Sequence, residues 1–258
     1  MSAVITLTSR YMRKTLAHPE EIIGMLIQPL LWVALFGVGM KSMMGDSIAG
    51  LGDGYMTFML PGVVALTALG GAIGGGTGWL IERTQGLVKE YLVAPIPRIS
   101  ILVANAGNIV IKVLIQVLVI IAIGLLFGAR LGLDPLGWIV GLLFISGYAF
   151  GFSGIALATA SKTDSAEAYH MMIFMLNLPL LFLSNALYPM ESLPSWMQVG
   201  AYLNPTTYVV SGMRSFMMAP SEMGAADPIA TWLSVLVTIG FGCFGILFAL
   251  RAFKSTIK

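Results

Sequence analysis

Charge is what this sequence has least of. Lys and Arg number 14 and Asp and Glu 12 in 258 residues, 10% in all, against roughly a quarter in soluble domains. That shortage excludes a water-facing globular fold. A single cysteine, Cys243, excludes an internal disulfide, and with His18 and His170 as the only histidines no metal cluster can be assembled. Cys243 reads as a small apolar residue in a membrane helix. No G-x-x-x-x-G-K-[ST] occurs, so the chain has no Walker-type nucleotide site of its own. A net charge of +2 gives no reason to expect nucleic acid. The N-terminus lacks the compact apolar core and small-residue cleavage site of a secretory signal, so the first membrane span is expected to direct insertion.

Apolar residues make up 57% of the chain, and the mean hydropathy of +0.89 marks an integral membrane protein. The pattern predicts an all-α membrane protein in one domain, 1–258. Six spans are expected, at 22–40, 57–80, 99–127, 136–160, 169–186 and 229–250. Residues 2–17 read as an amphipathic surface helix, with Val4, Leu7, Tyr11 and Thr15 on one face and Arg10, Arg13 and Lys14 supplying positive charge; a frayed basic tail is the alternative. Pro29 should kink the first span. The second holds the run Gly70-Gly71-Ala72-Ile73-Gly74-Gly75-Gly76-Thr77-Gly78, in which Gly70/Gly74 and Gly74/Gly78 have the GxxxG spacing of close helix packing. The third carries Asn105, Asn108, Lys112 and Gln116, and the fifth carries Asn177 and Pro179. Asn105, Asn108, Lys112 and Asn177 are candidate pathway residues, Lys112 being the basic residue set deepest in a span. Alternatively Lys112 snorkels or faces a wet interior.

Two stretches do not fit simple spans. Residues 82–98 gather Glu82, Arg83, Lys89, Glu90 and Arg98 between two apolar runs and should sit in water, with 86–91 forming a short helix that Pro95 ends. Residues 187–213 hold Glu191 as their one charge, yet Pro189, Pro194 and Pro205 forbid a continuous helix. Broken backbone at membrane depth survives only under cover of protein or a watery cavity, so a re-entrant helix pair is expected there, with Trp196, Tyr202 and Tyr208 suited to the interface. Lys and Arg near the span ends divide ten to three. The ten, which include Arg83, Lys89 and Arg98, mark the cytoplasmic side. Both termini and 82–98 are therefore expected in the cytoplasm, and the re-entrant pair on the outer face.

The stretch Gly86-Leu87-Val88-Lys89-Glu90-Tyr91-Leu92-Val93-Ala94-Pro95-Ile96-Pro97-Arg98 resembles the coupling segment of ABC-2-type ABC transporter permeases, in the branch of the daunorubicin-resistance and nodulation-factor exporters. The elements Tyr188-Pro189, Leu193-Pro194-Ser195-Trp196, Leu203-Asn204-Pro205-Thr206-Thr207-Tyr208 and Arg214 resemble that family's outer signature. Pro97 departs from the pattern, which has a small polar residue there. The resemblance implies a permease subunit that binds no cofactor, with ATP and Mg held by a separate nucleotide-binding subunit in two copies and with a second permease copy beside it in membrane lipid. It implies docking of the ATPase through Arg83, Gly86, Leu87, Lys89, Glu90, Tyr91, Leu92, Pro95 and Arg98. Pro189, Pro194, Trp196, Asn204, Pro205, Tyr208 and Arg214 become an outer gate. The expected setting is the plasma (inner) membrane of a prokaryote, and the expected work is export of an amphipathic drug, lipid or glycolipid.

Two other classes compete. Gly151-Phe152-Ser153-Gly154 matches the G-x-S-G of rhomboid proteases, but Ser153 would need a histidine base. His170 lies about 10 Å away along the membrane normal by helix rise. An ion-coupled secondary transporter would need an acidic partner for Lys112 inside a span, and the sequence offers none.

Overall fold

The computed structural model describes residues 2–17, 19–39, 55–87, 98–132, 134–218 and 229–256. Nine α-helices run through them. α1 is Ser2–Ala17 and α2 is Pro19–Trp32, which widens into a π-helical segment, Val33–Val38. The widening follows Pro29, which lacks an N–H donor and clashes with the preceding turn. α3 is Tyr55–Thr84, α4 Arg98–Leu126, α5 Pro135–Lys162 and α6 Ala166–Phe182. A 3-10 turn, Met190–Ser192, precedes α7, Ser195–Leu203, and α8, Pro205–Met217; α9 is Thr231–Thr256. Among the described residues no strand forms beyond one isolated antiparallel bridge, Leu131 to Met218.

Local chemistry sets the ends. Gly128, at φ 96°, turns the chain out of α4. The Asp134 carboxylate accepts from the N–H groups of Leu136 and Gly137, and Pro135 takes the first helical position of α5. Ser165 caps α6 by accepting from Ala168 N–H.

Among the described residues α3, α4, α5 and α9 are long and apolar enough to cross a membrane, whereas Leu26–Leu35 and α6 are shorter apolar helices. The short pair correspond to the expected first and fifth spans. α6 carries Pro179 and stops at Phe182, short of 186, where the chain bends into 183–188. The architecture is an all-helical membrane protein with α3 as its central column, 78% buried over its apolar window, against 28% for α9. α3 packs on α2, α4, α5, α6 and α8; α9 lies on α5 and α8, and α1 lies on α4.

Glycine contacts correct one expectation. A Cβ added to Gly70 or Gly78 would meet nothing within 4 Å, so those two members of the GxxxG stripe make no tight contact. Close packing falls instead on Gly71 and Gly75, against Gln116 and Ile109 of α4, and on Gly76, against Tyr169. A close backbone approach joins α5 to α9, where a Cβ on Gly154 would stand 2.1 Å from the Gly245 carbonyl oxygen. The outer faces of α6 and α9 stay apolar and exposed, through Met171, Phe174 and Met175 and through Trp232, Ile239 and Leu247, as surfaces bathed by lipid or covered by another subunit would be.

Candidate functional site

The end of α3 nearest α1 is fastened to three other elements. Arg83 donates to the Ser161 carbonyl at 2.5 Å, to the Thr163 carbonyl and to the Asp164 carboxylate. Those carbonyls close α5, whose dipole favours a cation. The Asp164 side chain is 92% exposed, so the ion pair adds under about 1 kcal/mol and the carbonyl bonds do the fastening. Trp79, fully buried, donates its indole N–H to Ser161 Oγ at 3.1 Å. Glu82 accepts from the Tyr11 hydroxyl of α1 at 3.3 Å. Next to this junction Ser165 donates to Glu167, a bond that, with help from the residue's own N–H and from His170, holds that exposed carboxyl below the usual range.

The expectation that all of 82–98 stands in water therefore fails at its start. α3 runs to Thr84 rather than ending at 80, and Glu82 is only 5% exposed. Past Gly86, at φ 80°, the chain reaches half-buried Leu87. Lys89, Glu90, Tyr91, Leu92 and Pro95 lie outside the described residues, as does the side chain of Arg98, whose backbone opens α4.

The four candidate pathway residues fall into two clefts. Asn105, Asn108 and Lys112 line a 200 Å3 cleft between α1, α3 and α4, together with Glu82, Tyr11 and Gly71, Gly74, Gly75 and Gly78 of α3. Asn177 lines a 660 Å3 cleft between α2, α3 and α6, with Gln28, Trp32, Thr67, His170 and Phe174. The second is large enough for an amphipathic molecule, with polar groups at Glu167 and His170 and apolar walls from Phe174, Leu178 and Leu181. α6 is held loosely over it. Its buried residues are Tyr169, which donates to the Ile73 carbonyl at 2.8 Å, and Leu181.

At the opposite end of α3, residues 187–213 form the expected broken pair, and α8 continues to Met217. Asn204 makes the corner: its amide donates to the carbonyls of Leu180 and Leu183, while its Oδ1 accepts from Thr206 N–H and caps α8. Pro205 takes the first position of that helix, and Pro194 stands as N-cap of α7. Pro189 opens the 3-10 turn. Arg214 is 4% exposed; it donates to the Phe58 carbonyl at 3.1 and 3.2 Å and to the Asn185 carbonyl at 2.8 Å, and lies 3.7 Å over the Phe58 ring. Tyr208 donates to the Tyr202 carbonyl, and Trp196 is exposed at 70%, as an interfacial tryptophan would be. Sequence reading did not find Trp79, Ser161, Asn185 or the Tyr148–Thr206 hydroxyl pair at 2.7 Å. These are ordinary polar residues in apolar runs, and only their burial singles them out.

Ser153 offers no nucleophile. Its buried hydroxyl donates to the Phe150 carbonyl of its own helix at 2.9 Å, and His170 lies exposed on α6 beside the larger cleft. Gly151 and Gly154 have a packing reason, the approach of α9.

Residues 2–218 match the family described as ABC-2 type transporter. The chain is similar to the transport permease ycf38 of Cyanophora paradoxa, 31% identical over 92% of this chain and 84% of that one. It is also similar to the inner membrane transport permease YadH of Escherichia coli K12, 26% identical over 82% and 81%. The daunorubicin resistance ABC transporter permease protein DrrB1 of Streptomyces coeruleorubidus is 24% identical over 84% and 75%.

Proposed function

The chain belongs to the ABC-2 type transporter family and is a multi-pass membrane transport permease, and from that premise we propose that it is the passive gate of an ATP-driven exporter. One observation carries this reading. α3 is a 30-residue helix, about 45 Å long at 1.5 Å per residue, fastened at one end through Arg83 to α5 and the loop before α6. At the other end its Phe58 carbonyl is fastened to Arg214 of α8. A push on the segment after α3 is thereby delivered both to the base of α6, which overlies the larger cleft, and to the broken pair α7–α8.

In this reading residues 86–98 dock on a separate ATPase subunit, present in two copies, which holds ATP and Mg. Leu87, Tyr91 and Leu92 supply affinity, and Lys89, Glu90 and Arg98 supply register. The apolar outer face of α6 and the open cleft beside it meet a second permease copy, so that the pathway runs between the two. Both termini lie in the cytoplasm of a prokaryotic cell, and the cargo is an amphipathic drug, lipid or glycolipid, consistent with the apolar and polar walls of the 660 Å3 cleft. An ion-coupled transporter is the second reading, because Glu82 supplies the acidic group in the Lys112 cleft that the sequence did not offer.

Reconstitution in liposomes with and without the ATPase tests both. Cargo should accumulate only with ATP and the second subunit, and Leu87→Asp or Glu90→Lys should leave the permease in the membrane while uncoupling hydrolysis from transport. Accumulation by the permease alone, driven by a proton gradient, would replace the first reading by the second.

A further inference from the structure

The broken pair at the end of α3 remote from α1 divides into a fixed part and a loose one. α8 is held along its whole length: Thr206 shares a hydrogen bond with Tyr148 at 2.7 Å, Ser211 Oγ accepts from the Asn185 amide at 2.8 Å, and a Cβ on Gly212 would collide with the Phe144 ring. Its last turn is tied by the loop between α4 and α5. There Gly132 N–H donates to the Met217 carbonyl at 2.7 Å, Leu131 and Met218 form their antiparallel bridge, and Arg130 N–H donates to the Thr57 hydroxyl of α3 at 2.8 Å. The Trp138 indole N–H of α5 donates to the Gly132 carbonyl at 2.8 Å. Residues 130–132 thus strap α3, α5 and α8 together, and Thr57, Met217 and Met218 are buried beneath the strap.

The bend after α6 joins the same block. A Cβ on Gly62 would collide with the Ala186 carbonyl, and the Tyr55 hydroxyl donates to the Leu187 carbonyl at 3.3 Å. The next anchor is Asn204, through its bonds to Leu180, Leu183 and Thr206. Between Leu187 and Asn204 the chain has a small core of its own, in which Met190, Leu193 and Ala201 pack with Ile229, apart from the main core. Those three are the buried residues of 188–203, and on α7 Ala201 alone is buried. Segments with so few buried contacts open before the rest of a structure does.

We propose that 188–203 is a flap hinged at Leu187 and Asn204, and that α8, strapped by 130–132, is its fixed frame. This rests on the export reading and divides its outer gate: Pro189, Pro194 and Trp196 move, whereas Asn204, Pro205, Tyr208 and Arg214 stay with α3. The flap stands at the outer end of α6, where Leu181 lines the 660 Å3 cleft and the Leu183 side chain would lie 3.2 Å from a Cβ on Gly200. Swinging it opens that end of the cleft while every bond between α3 and α8 is kept.

Hydrogen exchange of the unmodified full chain in detergent micelles, read by mass spectrometry, tests the division. The helical amides of 197–203 should exchange at least about tenfold faster than those of 209–217, and those of Arg130 and Gly132 should be as slow as α8. Thr57→Val keeps the shape and removes the acceptor for Arg130, so it should speed exchange at 130–132 about tenfold and leave 197–203 unchanged. In liposomes with the ATPase subunit, on a Cys243→Ser background, a membrane-impermeant thiol reagent should label Ala201→Cys faster once ATP is added. Val210→Cys of α8 should not respond, although both positions are 0% exposed. Equal exchange in α7 and α8, fast exchange at Arg130 and Gly132, or loosening of 197–203 by Thr57→Val would each overturn the proposal. So would ATP-driven labelling of Val210→Cys, or no response of Ala201→Cys in a complex that is hydrolysing ATP. The exchange readout needs neither ATP nor a partner subunit, so its failure leaves the export reading standing.

Discussion

Replacing Arg214 by lysine keeps the charge and removes the fork. The guanidinium satisfies two carbonyls at once, one in α3 and one in the 183–188 bend, Phe58 at 3.1 and 3.2 Å and Asn185 at 2.8 Å, and covers the Phe58 ring at 3.7 Å. An ammonium on a flexible stem reaches one of these carbonyls and leaves the other buried and unpaired. A hydrogen bond to a charged donor is worth about 1.5–3 kcal/mol, and the ring contact about 0.5–2 kcal/mol when desolvated. Arg214→Lys should therefore cost about 2–5 kcal/mol in equilibrium unfolding in mixed micelles. Because the bonds join α8 to the start of α3, transport should fall further than ATPase recruitment. Tyr208→Phe, which removes an exposed hydroxyl bond to the Tyr202 carbonyl, is the control and should cost under about 1 kcal/mol. If Arg214→Lys unfolds within about 0.5 kcal/mol of wild type, or transports normally, α3 is not fastened through this residue and does not act as a rod.

Other substitutions separate close packing from mere composition. Gly154→Ala should destabilise by about 1–3 kcal/mol or prevent assembly, because its methyl would meet the Gly245 carbonyl at 2.1 Å. Gly70→Ala should stabilise by up to about 1 kcal/mol, since nothing lies within 4 Å there and alanine is the better helix former; the reverse order in thermal melts would refute the α5–α9 contact. Asn204→Ala removes the α8 cap and two carbonyl bonds together and should cost about 1–3 kcal/mol, seen as faster proteolysis between α7 and α8. Ser153→Ala should change stability by less than about 0.5 kcal/mol and leave transport intact; loss of a peptide-cleaving activity in that variant would restore the protease reading.

Scarcity of charge and the length of the apolar runs announced a membrane protein, because burying unpaired charge in hydrocarbon is too costly to be masked by other signals. Proline spacing likewise gave away the broken pair at 187–213, where Pro189, Pro194 and Pro205 each stand at the start of a short element, the position that needs no N–H donor. Leu7, Tyr11 and Thr15 on one face of α1 were readable from a period of 3.6, and all three are buried. What the sequence could not disclose is which side of each helix meets which neighbour. Gly70 and Gly71 differ by one position, yet one faces open space and the other faces Gln116. Glu82 reads as the first charge of a water-facing stretch, and the continuation of α3 buries it in the cleft that Lys112 also lines. The four polar residues of spans three and five look alike in the sequence, and tertiary packing sends three to one side of α3 and Asn177 to the other. Solvent preference is a property each segment carries alone, whereas rotation of a helix about its axis is settled only by the surfaces it packs against.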